Sequence, residues 1–181
     1  MINITFPDGS TTSFDDFPTG FEIAGSISEG LARDSVAMEL DDKLVDMSTV
    51  VKKDAEIRLI TTRDKEALEI MRHSAAHVMA QAVLRVYKDA KLTIGPVIED
   101  GFYYDIDMEP VSEDEFPKIE AEIKKLVKEK IPIHRSEVSK AEALAFYKDE
   151  PYKLEMISDL EDGRISFYQQ GDFTDLCRGP H

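Results

Sequence analysis

The 181-residue sequence contains one cysteine, no tryptophan, only four histidines and no long apolar run. With Cys177 as the single thiol, no disulfide can form within the chain, so a reducing compartment, the cytoplasm, is expected. No segment approaches the roughly 20 apolar residues a membrane helix needs. The N-terminus Met1-Ile2-Asn3-Ile4-Thr5-Phe6 has neither the basic flank nor the apolar core of a signal peptide, so no membrane partner is expected. Basic side chains are also scarce: 37 acidic residues stand against 22 basic ones, for a net charge of −15. That balance excludes a broad basic surface that gains affinity by displacing counterions from phosphate. Any contact with nucleic acid should be local, at one end or one nucleotide. What remains is 42% apolar and 33% charged residues, an ordinary globular composition long enough for one large domain or two small ones.

The chain changes character near residue 62. Before it, Ile2, Ile4 and Phe6 alternate, Pro7-Asp8-Gly9 marks a turn, and Thr11–Phe14 can return as the second strand of a hairpin. Phe21–Ile27 suits a short helix closed by Gly30. Val36–Leu40, Leu44-Val45 and Ile57–Ile60 suit further strands, the first two joined by a turn at Asp41-Asp42-Lys43. One hairpin, one helix and several short strands in sixty residues suggest a ubiquitin-like β-grasp unit, a shape most often used for binding.

From Asp64 to Tyr87 there is no proline or glycine, and Asp64-Lys65-Glu66 places acid in a first helical turn, where the helix dipole favours it. Leu68, Met71, Ala75, Met79, Ala82 and Val86 share one stripe at helical spacing. His73 and His77 project almost opposite it, at about 100° per residue, so the helix is expected to be buried on two sides, its histidines forming a cleft wall. Leu92–Ile98 and Gly101–Ile106 read as strands joined at Glu99-Asp100. Ser112-Glu113-Asp114-Glu115 reads as a capping box opening a helix to Lys130, with Phe116, Ile119, Ile123 and Val127 inward and Glu120 paired to Lys124. Ser139-Lys140-Ala141-Glu142 opens another helix, stopped before Pro151. Ile165–Gln170 reads as a strand ending at a Gly171-Asp172 turn. The expected fold is α+β: a β-grasp domain over residues 1–62, then an α+β domain over 63–181 with a long His-bearing helix packed on an antiparallel sheet.

Three of the four histidines and the only thiol fall into two short patterns, His73-x-x-x-His77 and Cys177-x-x-x-His181. An i, i+4 histidine pair lies on one helix face and can serve one small centre. Arg178-Gly179-Pro180 forces a bend, so Asp175, Cys177 and His181 sit on a corner that makes poor core material. Three imidazoles and a thiol can bind tetrahedral zinc or line a hydrolytic cleft.

His73-x-x-x-His77, the stretch Gly95-Pro96-Val97-Ile98-Glu99-Asp100-Gly101-Phe102-Tyr103-Tyr104-Asp105, and Asp175-Leu176-Cys177-Arg178-Gly179-Pro180-His181 together resemble the editing domain of threonyl-tRNA synthetases. The unit before it resembles that family's TGS module, and the likeness runs the length of the chain. The resemblance implies hydrolysis of the aminoacyl ester of tRNA(Thr) wrongly charged with serine, with the tRNA acceptor end as partner. Its implied catalytic positions are His73, His77, Lys153, Asp175, Cys177 and His181, with Tyr104 and Tyr168 binding substrate. Water is the expected nucleophile, activated by His73 or His77; Lys153 would neutralise developing charge, and Asp175 would take the substrate ammonium.

No metal is favoured at this centre; if zinc binds, its ligands are His73, His77, Cys177 and His181. The family's editing domain continues beyond His181 into a catalytic core, where ATP, a catalytic zinc and homodimerisation belong, so the chain is expected to be a fragment that does not itself aminoacylate. Two rival readings remain. One is a free-standing zinc-dependent aminoacyl-tRNA deacylase of the alanyl type, and the other is a non-catalytic binding module with a structural zinc.

Overall fold

The computed structural model describes residues 1–163 and 165–181. They form two compact units, one of residues 1–71 with 179–181 and one of residues 72–178. Among the described residues no helix is long and apolar enough to cross a membrane.

The first unit is the α+β element expected of a β-grasp. Strands β1 (Ile2–Thr5) and β2 (Thr11–Phe14) form the antiparallel hairpin, and β1 also runs parallel to β5 (Ala55–Thr61). Strands β3 (Ser35–Leu40) and β4 (Lys43–Val45) complete a five-stranded sheet in the order β2-β1-β5-β3-β4. The β3–β4 turn places Asp41 and Asp42 at φ 48° and 64°, the left-handed pair a tight hairpin needs and one that aspartate tolerates better than most residues. Ile4, Ile23, Met38 and Ile57 fill the core beneath the sheet.

Helix α1 (Gly20–Ile27) opens on a Thr19–Glu22 capping box. It is not closed by Gly30. Ser28, extended at φ −166° and ψ 151°, ends α1 and caps a second helix, α2 (Glu29–Asp34), by accepting from the Leu31 amide. Gly30 lies inside α2, because a serine able to cap forward outcompetes a glycine able to cap backward.

The long helix α3 (Lys65–Val86) forms over the expected span. Its first turns pack through Ala67 and Ile70 against Ala37 and Ile60, and the compact units part within it, between Met71 and Arg72. The stripe read as its core face is partly exposed: Leu68 is 53% and Met71 49% accessible, and Ala75 is exposed too. Of that stripe Ala82 is buried, and the other buried residues of the helix are Ala67, Ile70, Ala76, His77, Ala80, Gln81 and Val83. Size decides this, since alanines let neighbouring backbone approach where leucine and methionine would hold it off. The histidine face is therefore the inner one.

In the second unit the expected pair of long strands is broken into two short ladders. Strand β6 (Lys91–Leu92) pairs with β9 (Ile106–Asp107), and β7 (Val97–Ile98) pairs with β8 (Gly101–Phe102). Between them the Tyr104 ring lies against Gly95, so close that a Cβ there would sit 2.2 Å from a ring carbon. Ser112 makes no side-chain cap; a short 3-10 turn, Glu113–Glu115, leads into α4 (Phe116–Glu129), which carries Pro117 in its first turn. Leu126 is buried, whereas Phe116 and Val127, expected inside, are 47% and 62% accessible. Glu122 pairs with Lys125 and with Arg85 from α3.

Strand β10 (Ile133–Val138), unread in the sequence, is the edge of an antiparallel sheet β10-β11-β12, where β11 is Ile165–Gln170 and β12 is Phe173–Leu176. The Ser139–Glu142 capping box opens α5 (Lys140–Phe146). That helix stops before Pro151 as expected, and Pro151 in addition starts α6 (Pro151–Ser158), since a proline at the first helical position lacks only an N–H that has no helical partner there. Ile157 of α6 packs with Ala143, Tyr147, Ile165 and Phe167.

Candidate functional site

Within the second unit, His73, His77, Tyr104, Lys153, Asp175 and Cys177 line one cavity of about 350 Å³. Helix α3 supplies the histidines, one turn apart, with ring centroids 5.2 Å apart and planes at 88°. Strand β12 supplies Asp175 and the chain leaving it supplies Cys177; the loop between β8 and β9 supplies Tyr104, and α6 supplies Lys153. Donor atoms of His73, His77 and Cys177 all lie within 4.8 Å of one another, and Cys177 Sγ is 3.1 Å from His73 Nε2.

Beside them lies a polar hub. Asp175, 3% exposed, accepts from Lys153 Nζ at 2.5 Å through one carboxylate oxygen and from the Tyr104 hydroxyl at 2.7 Å through the other. The Leu176 amide also donates to it at 2.8 Å. Lys153, likewise 3% exposed, donates to the Thr93 carbonyl at 3.1 Å. An ion pair this deeply buried survives because each end is also hydrogen-bonded. The carboxylate expected to receive a substrate ammonium is thus already committed to Lys153 and Tyr104. Burial first, and then the adjacent carboxylate, push the Tyr104 hydroxyl well above the ordinary phenol range, so it remains a donor.

Burial pulls the His77 imidazole down to about 3, and the charges of His73 and Lys153 add to the shift. Asp175 Oδ2 lies 3.8 Å from Nε2 and would pull the other way, but Lys153 largely offsets its charge. His77 is therefore neutral at physiological pH, with the Phe173 ring edge-on at 5.9 Å.

Tyr168, expected to bind substrate, is not among the residues that line the cavity. Tyr168 is buried, paired across the sheet with Asp175, and its hydroxyl is 3.4 Å from the Arg178 carbonyl. His181 belongs to the first unit, half-buried, its backbone amide donating to Asp46 at 2.8 Å. His134 is exposed on β10 and takes no part. Sequence reading missed Thr93, Gly95 and Ser166, which also line the cavity. Thr93 acts through its carbonyl and so leaves no signal in its side chain. Gly95, followed by a proline inside an apolar strand pattern, is the sort of position that marks a close approach.

A family model described as "TGS domain" matches residues 2–61. Over its whole length the chain is 62% identical to a threonine--tRNA ligase of Desulforapulum autotrophicum and 64% identical to one of Desulfatibacillum aliphaticivorans, covering 28% of each. It is 53% identical to the corresponding protein of Halalkalibacterium halodurans, covering 29% of it. The chain thus spans well under a third of the length of these relatives.

Proposed function

Because the chain belongs to the threonine--tRNA ligase family as an N-terminal region, we propose that its second unit hydrolyses the ester of tRNA(Thr) mischarged with serine. The observation that carries this reading is one cavity lined by two imidazoles, a thiol and a buried lysine–carboxylate–phenol hub. A synthetic site discriminates one methyl group by only about 1–3 kcal/mol, so serine in place of threonine calls for a second, hydrolytic sieve.

In this mechanism a water attacks the ester carbonyl, the bond to the terminal ribose oxygen breaks, and the proton taken from water returns to that oxygen. His73 is the base. His77, with a conjugate acid near pKa 3, is too weak a proton acceptor at neutral pH and orients the water instead. Two of the three Lys153 donors are engaged, leaving one for the oxyanion. Asp175 acts by holding Lys153 and Tyr104 in place. Cys177 partners His73 and forms no acyl intermediate; a thioester trapped on the parent and lost with Cys177→Ala would reverse that assignment. Tyr168 supports β12 and the Arg178 backbone.

The two nitrogens and one sulfur gathered here suit zinc, and the Cys177-x-x-x-His181 spacing supplies a fourth donor. Such an ion would lower the pKa of a bound water. Aminoacylation with ATP, the second zinc and dimerisation are assigned in this reading to the remainder of the enzyme, with tRNA(Thr) as partner and the cytoplasm as location. That remainder also supplies affinity that an acidic chain lacks for tRNA.

The test is deacylation of seryl-, threonyl- and alanyl-tRNA(Thr) by the chain and by His73→Ala and His77→Ala. Selective loss of the seryl ester, abolished by His73→Ala, is expected; no hydrolysis above buffer, or equal hydrolysis of all three, overturns the reading. Metal analysis with chelation separates the zinc alternatives: a module held together by structural zinc unfolds in chelator.

A further inference from the structure

Ser166 has no role in the mechanism above, yet it lines the cavity and is 5% exposed. It lies on β11, whose pairing with β12 runs from Gln170↔Phe173 to Phe167↔Leu176. The next rung of that register joins Ser166 to Cys177. There the Cys177 amide donates to the Ser166 carbonyl at 3.1 Å, and the Ser166 hydroxyl donates to the Cys177 carbonyl. One residue thus holds both main-chain polar groups of Cys177. Beyond it, Arg178-Gly179-Pro180-His181 belongs to no strand. Cys177 sits on the last main-chain rung seen here, with the Tyr168 hydroxyl reaching the Arg178 carbonyl at 3.4 Å beyond it, and its thiol meets His73 Nε2 at 3.1 Å, a contact that a drift of one ångström would lose.

We infer that Ser166 is a positioning residue: its hydroxyl pins the Cys177 carbonyl and thereby sets the thiol against His73. Without the hydroxyl, the Cys177 carbonyl would lose its hydrogen bond to β11, leaving the Cys177 amide and the longer Tyr168–Arg178 bond to hold this end of the ladder. The side-chain hydroxyl adds a second attachment and fixes the direction in which the Cα–Cβ bond leaves the sheet. The consequence for turnover rests on the hydrolytic reading; the consequence for the thiol does not.

The chain's single cysteine makes the test specific, because any thiol reagent reports on Cys177 alone. Ser166→Ala and Ser166→Thr are compared with the parent by N-ethylmaleimide labelling at one fixed pH, by kcat and KM for seryl-tRNA(Thr) deacylation, and by thermal unfolding. For Ser166→Ala, labelling should change at least about threefold and kcat should fall about tenfold, the loss expected of one buried hydrogen bond, with KM unchanged. Ser166→Thr, which keeps the hydroxyl, should restore both to within about twofold. If the alanine variant does not fold, Ser166→Thr against Ser166→Val makes the same comparison at nearly constant shape. Parent-like labelling of the variant lacking the hydroxyl, or failure of threonine to rescue, overturns the assignment. A parent that labels as expected but does not hydrolyse seryl-tRNA(Thr) counts against the hydrolytic reading only, since the labelling arm still decides on Ser166.

Discussion

Acidification should destabilise this protein through His77 by an amount the structure predicts. The imidazole is neutral when folded, with a pKa lowered from 6.5 to about 3, while in the unfolded chain it takes up a proton below 6.5. Between those two values the unfolded state binds more protons, so stability falls as pH falls, and above 6.5 the group contributes no slope. From pH 7 to pH 5 the linkage integrates to about 2 kcal/mol, or about 4–8 °C in Tm for a chain of this size. Carboxylates titrate over the same range, so the quantity to measure is the difference between parent and His77→Gln, which shares every other group. Urea unfolding at pH 7 and pH 5, in chelator, should show the parent losing about 2 kcal/mol more than the variant. Equal losses would show that the His77 ring is solvated enough to protonate in place, and the inner-face assignment of α3 would be wrong.

The Lys153–Asp175 pair gives a second expectation. Lys153→Met strands a buried carboxylate and should cost about 3–5 kcal/mol by urea unfolding, whereas Lys153→Met with Asp175→Leu should recover much of it. A single variant as stable as the parent would mean that water reaches the pair. Gly95→Ala cannot coexist with Tyr104 in place, because the added methyl would overlap the ring; deacylation should fall at least tenfold, the ring displacement being visible in tyrosine NMR signals. At the end of α4, Lys130 sits at φ 51°, so Lys130→Gly should stabilise by roughly 0.5–1 kcal/mol, read as a rise in Tm.

Much of the fold was legible because local rules and the core agreed. Alternation at Ile2 and Ile4, aspartates at the β3–β4 turn and the Ser139–Glu142 box each act over a few residues, and tertiary packing had no reason to override them. Reading failed where two local signals competed or where the outcome depended on a distant neighbour. Ser28 could cap forward and Pro151 could begin a helix as well as end one. The apolar stripe of Leu68 and Met71 gave way to a face of alanines whose value lies in how closely other backbone can approach.

The site divides along the same line. Sequence alone determined that the scarce imidazoles and the lone thiol belong together, because so few exist and their spacings repeat a family pattern. Only the tertiary structure decided what each one does: that Asp175 is spent on Lys153 and Tyr104, that burial keeps His77 neutral, and that the Ser166 hydroxyl holds the backbone of Cys177. Spacing along a chain says which groups can meet, but charge, proton affinity and orientation depend on the solvent removed and the partners gained, and those come from residues far away in sequence.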